Sequence, residues 1–99
     1  MSGFNTLSEI DILMVNGTTL SLIEVKYKVE KKDIKNILQT KLPLFRKHFP
    51  NYIHHKILLG IGGMGFEKEV EKEAAENGIG IIKIVGDKVE YYTDNMKIY

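Results

Sequence analysis

Apolar and polar positions follow two periods along the chain, roughly two near both ends and three to four in the middle. Glu9 to Val15, "EIDILMV", and Leu20 to Tyr27, "LSLIEVKY", are rich in Ile, Leu and Val. They bracket "NGTT", whose Asn16-Gly17 pair is a strong short-range hairpin signal. Ile34, Ile37, Leu38, Leu42, Phe45 and Phe49 then recur every three or four residues, which predicts a helix from an N-cap at Asp33 to Phe49, just before Pro50. Pro43 falls inside that span. A proline there removes a backbone hydrogen bond and crowds the preceding turn, so a kink or break is expected near Leu42.

"HKILLGIGG" reads as a buried strand, and "FEKEVEKEAAEN" as a helix packing through Phe66, Val70, Ala74 and Ala75, with Gly78 as its stop. "GIIKIVGDKVEYY" supplies another buried strand, a Gly86-Asp87 turn and a returning strand. The order is β-β-α-β-α-β-β. Strands joined through helices pair in parallel by right-handed crossovers, while the two hairpins add antiparallel pairs. The predicted fold is therefore α/β, a mixed β-sheet with flanking helices.

Composition narrows the function classes. Ninety-nine residues make a single domain, and the absence of cysteine excludes disulfides and thiolate metal sites. No signal peptide or long apolar run is present, so the expected compartment is the cytoplasm and no membrane partner is expected. The lead-in "MSGFNTLSE" lacks helical periodicity and runs straight into a strand, which suits either a short natural lead-in or, as expected here, a fragment of a longer chain. A net charge of +1 conceals an asymmetry. Lys26 to Lys56 holds nine basic residues against Glu30 and Asp33, whereas Glu67 to Glu76 holds five glutamates against Lys68 and Lys72. One end could favour polyanions, through Lys28, Lys31, Lys32, Lys35, Lys41, Arg46 and Lys47; a solvated helix face explains the same run.

The chemistry lies on the first hairpin. Alternation puts Glu24 and Lys26 on one face with Leu20 and Leu22, and Asp11 on one face with Leu13 and Val15. If Val15 pairs with Thr18, Asp11 lies diagonal to Glu24; if Val15 pairs with Leu20, Asp11 lies directly opposite. Either register sets both carboxylates on one side of the sheet, with Lys26 one step along. Two carboxylates, a backbone carbonyl and water suit a hard cation such as Mg²⁺ or Mn²⁺, and such an ion serves phosphodiester hydrolysis. A cross-strand salt-bridge cluster on a solvated sheet is the plain alternative.

"EIDIL", a turn and "IEVK" resemble the PD-(D/E)xK nuclease superfamily, the restriction-endonuclease-like group. "VKYKVEKKDI", "LFRKHFP" and "AAENGIGIIKIVGDKVE" extend the likeness to a little-characterised branch found as a C-terminal domain behind a helical or coiled-coil segment. The resemblance implies a restriction-endonuclease-like core lacking its N-terminal helix, and a metal-dependent endonuclease or exonuclease acting on DNA. It implies Asp11, Glu24 and Lys26 as catalytic residues, and Asp11, Glu24 and the Val25 carbonyl as ligands of Mg²⁺ or Mn²⁺. Lys28 and Gln39 are the expected nucleic-acid contacts, Gln39 because some branches carry a supporting Gln on the following helix. The helix that in many members adds an acidic residue is missing ahead of the first strand, and Ile10 stands where the motif has proline. Partners implied are DNA and an N-terminal helical region of the parent protein; independently of the resemblance, a two-hairpin sheet with an exposed edge predicts self-association as a homodimer.

A second reading is a catalytically degenerate nuclease fold serving as a nucleic-acid-binding or dimerisation module. A third comes from "GIGGMG", Gly60 to Gly65, which fits G-x-G-x-x-G between a strand and a helix and would make a small nucleotide-binding domain. Against it, only a helix and a hairpin follow, and a tight strand-to-helix turn needs the same glycines. His48, His54 and His55 flank the second turn without acidic or cysteine companions and read as solvated.

Overall fold

The computed structural model describes residues 12–99. Strands β1 (Ile12–Asn16) and β2 (Thr19–Val29) form an antiparallel hairpin in which Val15 pairs with Leu20 and Ile12 with Ile23. Gly17 takes φ 63° at the first of the two turn positions, a conformation that glycine adopts without steric cost and that suits the twist of a two-residue hairpin. Asn16 is thereby the last paired residue, and the second of the two expected registers is the one formed. Asp11, expected opposite Glu24 in that register, lies outside the described residues.

The first connection is a helix in two pieces, α1 (Lys31–Asn36) and α2 (Leu42–His48), joined by a π-helical turn at Ile37–Lys41. Glu30, extended at φ −117°, is the N-cap in place of Asp33. Asp33 sits one turn in, where its Oδ2 accepts the Glu30 N–H at 2.7 Å. The expected break occurs as this π turn, in which the Leu42 N–H donates to the Ile37 carbonyl, five residues back. A proline at 43 lacks the N–H for the residue-39 carbonyl and its ring crowds that carbonyl; the wider turn relieves both, and Pro43 then opens α2, where its missing donor costs little.

After a short 3₁₀ turn (Pro50–Tyr52), strand β3 (Lys56–Phe66) takes in the whole of "GIGGMG". The strand expected over "HKILLGIGG" forms from Lys56 and runs on through Gly65, so the alternative of a strand-to-helix turn at Gly60 to Gly65 is corrected; Glu67 to Glu69 make the connection to α3 (Val70–Glu76). A dinucleotide fingerprint needs its glycines in the turn that opens the helix. Gly78, at φ 68°, ends α3 as predicted, and Gly86, at φ 63°, turns β4 (Gly80–Val85) into β5 (Lys88–Tyr92).

The five strands lie in the order β1-β2-β3-β4-β5, parallel at β2–β3 and β3–β4 and antiparallel at the two ends, a mixed sheet as expected. Register puts Leu20 and Leu22 beside Ile57 and Leu59, and Ile61 beside Ile81, on one face. These side chains share the core with Ile34, Ile37, Phe45, Val70 and Ala74. Among the described residues both helical connections therefore cover the same face of the sheet. No helix among them is long and apolar enough to cross a membrane.

Two neighbouring glycines of β3 separate by face. A Cβ at Gly63 would stand 2.6 Å from the Lys26 carbonyl oxygen and 2.7 Å from Val29 Cγ2, whereas one at Gly62 would meet nothing closer than 3.5 Å. Gly63→Ala is expected to destabilise the chain by about 1–3 kcal/mol through overpacking. Gly62→Ala is expected to be neutral or to stabilise by about 0.5–1 kcal/mol, because alanine lowers the entropy lost on ordering a strand. Urea unfolding midpoints of the two variants check the contrast.

Candidate functional site

Strand β2 carries Leu20, Leu22, Glu24 and Lys26 toward the helices, with Glu24 opposite Ile61 and Lys26 opposite Gly63. Glu24 thus continues the apolar core and is only 7% exposed. A carboxylate so placed is costly unless a donor meets it. Lys41, 2% exposed, donates from Nζ to Glu24 Oε2 at 3.0 Å. Lys41 ends the π turn and is buried with Ile37 on its sheet-facing side. The sequence reading put Lys41 on the basic outer face, and the structure corrects that. The signal was present: Ile34, Ile37, Lys41 and Phe45 fall at three- and four-residue spacing on one helical stripe.

The other oxygen, Glu24 Oε1, is buried with no hydrogen-bond partner among the described residues. A void of about 10 Å³ with an apolar surface is bounded by Leu22, Ile23, Glu24, Ile37 and Lys41. That is close to the space of a single water-sized sphere, enough for one small species and too little for a phosphate.

Lys26 is nearer the surface, with its side chain 40% exposed, and its Nζ lies 3.1 Å from Asp33 Oδ1. Asp33 is buried and holds the Lys26 ammonium with one oxygen and the Glu30 N–H with the other. The hydrogen bond and charge of Asp33 raise the Lys26 pKa above its ordinary value, burial works against them, and the charges of Glu24 and Glu30 add to the rise. Lys26 is therefore an ammonium at neutral pH, a donor and a fixed positive charge rather than a base. Asp33 was read from the sequence only as a cap; its spacing of seven from Lys26 across a strand-to-helix corner carries no periodic signal.

The remaining predicted residues divide. Val25 stands between Glu24 and Lys26 and is exposed, as are Lys28 and Gln39. Asp11 lies outside the described residues. Of the expected basic face, Lys31 and Lys32 stand near Glu69 and Glu30 at 3.8 and 3.3 Å, and Arg46 donates to the Tyr99 carbonyl. Lys28, Lys35 and Lys47 are exposed. His48 and His54 are exposed as well, and His55 sits edge-on to Tyr52 with ring centres 5.0 Å apart. Among the described residues, no group of three or more His, Cys, Asp or Glu side chains is placed to hold a metal.

Comparison with protein-family models, with curated proteins and with solved structures finds no match.

Two tests address this ion-pair arrangement. Lys41→Met leaves Glu24 buried without its cation and is expected to destabilise by about 3–5 kcal/mol, while Glu24→Leu combined with Lys41→Met is expected to recover most of that loss. A urea-unfolding double-mutant cycle measures both. Because the folded pKa of Lys26 is raised, its contribution to stability is fully present below the ordinary lysine value of 10.5 and is lost as pH rises through the higher folded value. Lys26→Met is expected to flatten the loss of stability above that pH, read from thermal midpoints across the alkaline range.

Proposed function

We propose that this chain is a metal-dependent nuclease domain of the PD-(D/E)xK type, with a restriction-endonuclease-like core, acting on phosphodiester bonds in DNA. The observation that carries this reading is Glu24 Oε1, a buried carboxylate oxygen without a donor among the described residues. A buried polar atom left in this state calls for a water or an ion. The hard oxygen of a carboxylate suits Mg²⁺ or Mn²⁺.

In this reading Glu24, the Val25 carbonyl and Asp11 hold the cation. The Val15–Leu20 pairing supports Asp11 in that role, since it is the register under which Asp11 is expected opposite Glu24. The bound cation would polarise the phosphodiester and lower the pKa of a water nucleophile. Lys26, kept protonated by Asp33, donates to the attacking water or to the scissile phosphate. Asp33 positions Lys26 by fixing its ammonium on the side of β2 that Glu24 occupies. Lys41 holds Glu24 by one oxygen, which leaves the other for the cation. Lys28 and Gln39, both exposed, supply contacts to the nucleic-acid backbone.

One observation favours the second reading, a degenerate nuclease fold that binds nucleic acid without cutting it. Both charged members of the β2 motif already have partners inside the chain, Lys41 for Glu24 and Asp33 for Lys26. Cleavage of plasmid and linear DNA in Mn²⁺ decides between the two. The nuclease reading expects cutting by the wild-type chain and a loss of roughly 10²–10³-fold in Asp11→Ala and Lys26→Ala. Equal rates in all three, or DNA binding without any cutting, would remove it.

A further inference from the structure

The face of the sheet turned away from the helices is also apolar, and among the described residues only Met96 and Thr93 lie over it, against Gly80. Register puts Met14 beside Ser21, and Tyr91 beside Ile82, on this face. In the centre Gly60 and Gly80 contribute no side chains, so a trough of about 200 Å³ opens between the Ile23 side and the Ile82–Tyr91 side, with Met96 and Thr93 at one end. Tyr91 is 67% and Met14 55% exposed. Of the charged strand residues, Glu24, Lys26, Lys83 and Glu90 share the opposite face, while Lys56, paired with Thr19 at the start of β3, lies on this one at its edge.

This distribution is unusual for an antiparallel edge. A strand covered on one side alternates apolar with polar, while one that is apolar on both sides is normally covered on both. Here even the end strands β1 and β5 present apolar residues to this face. The absence of charge at its centre argues against nucleic acid or an acidic peptide as the cover, since both need basic contacts.

We infer that this face closes on a second copy of the chain, forming a two-fold sheet-on-sheet dimer. Shape supports a self-complementary contact: the face carries an apolar ridge, Ile23 and Val25, directly beside the glycine trough. A two-fold axis presents each ridge to the partner's trough, because an isologous interface uses one patch twice. Size supports it too. Five strands at ~4.8 Å spacing, with ~3.3 Å rise along each, give a face of roughly 500 Å² in projection. Two such faces remove on the order of 1,000–1,500 Å² with side-chain relief included, at the lower edge of stable interfaces. The dimer is therefore weak, and forms at micromolar concentration or above.

Sedimentation equilibrium of the 99-residue chain on the order of 100 μM tests this. The expected result is twice the chain mass of 11.3 kDa for the wild type, and 11.3 kDa for Tyr91→Lys and for Met14→Lys. Both positions are exposed, so neither variant disturbs the core, and circular dichroism confirms the fold. Tyr92→Lys, on the opposite face of the same strand, is expected to stay dimeric. A monomeric wild type overturns the inference, the face then belonging to another segment or partner. A dimer that survives both face substitutions overturns it as well, because pairing through the backbone edges of β1 or β5 would behave that way.

Discussion

The buried ion pair between Glu24 and Lys41 is the constraint on which the arrangement of this molecule turns. Placing a carboxylate in the row Leu20, Leu22, Glu24 interrupts the apolar face of the central strand. In an interior of low dielectric, neither charge is tolerable alone, and together they roughly break even against an apolar pair. Their value lies in specification. The Lys41 ammonium can meet Glu24 at 3.0 Å only if the first helical connection crosses β2 at one height and in one rotation. That docking also brings Asp33, three residues into α1, to the Lys26 ammonium at 3.1 Å. Two ion pairs, one deep and one near the surface, thus fix the helix on the strand and set the two motif residues in different environments.

Pro43 is part of the same device. An unbroken α-helix from Lys31 to His48 would set the proline ring against the carbonyl of residue 39. The π turn at Ile37–Lys41 absorbs the proline and changes the phase of what precedes it relative to α2. Such single π turns recur at functional positions in helices. Here the turn ends on the residue that neutralises Glu24.

Most of the fold was legible because its signals are local. The two glycine turns at Gly17 and Gly86, the alternation in β2 and the Gly78 stop each rest on a few adjacent residues with a defined backbone preference. Where the reading failed, the determinant was not local. Lys41 was assigned by its charge, although its place on the Ile34–Ile37–Phe45 stripe pointed inward. Gly60 to Gly65 carry no side-chain period, so nothing in the sequence separated a glycine-rich strand from a glycine-rich turn; its pairing with Lys26, Lys28 and their neighbours on β2 makes it a strand. Asp33 has a capping role that the sequence showed and an ion-pairing role that only the packing of α1 on β2 creates.

The two faces of the sheet therefore differ in kind. One is covered by helices and carries all the buried charge; the other is apolar with a trough of glycines. The proposed chemistry depends on the first, and specifically on Glu24 presenting one oxygen to Lys41 and keeping the other for a cation. Observation of the Glu24 side-chain carboxyl carbon by ¹³C NMR during addition of Mg²⁺ tests this most directly. The account predicts a saturable shift of that resonance at millimolar Mg²⁺, lost in Asp11→Ala. A Glu24 carboxyl signal that stays fixed throughout the titration, with the chain folded, would contradict it.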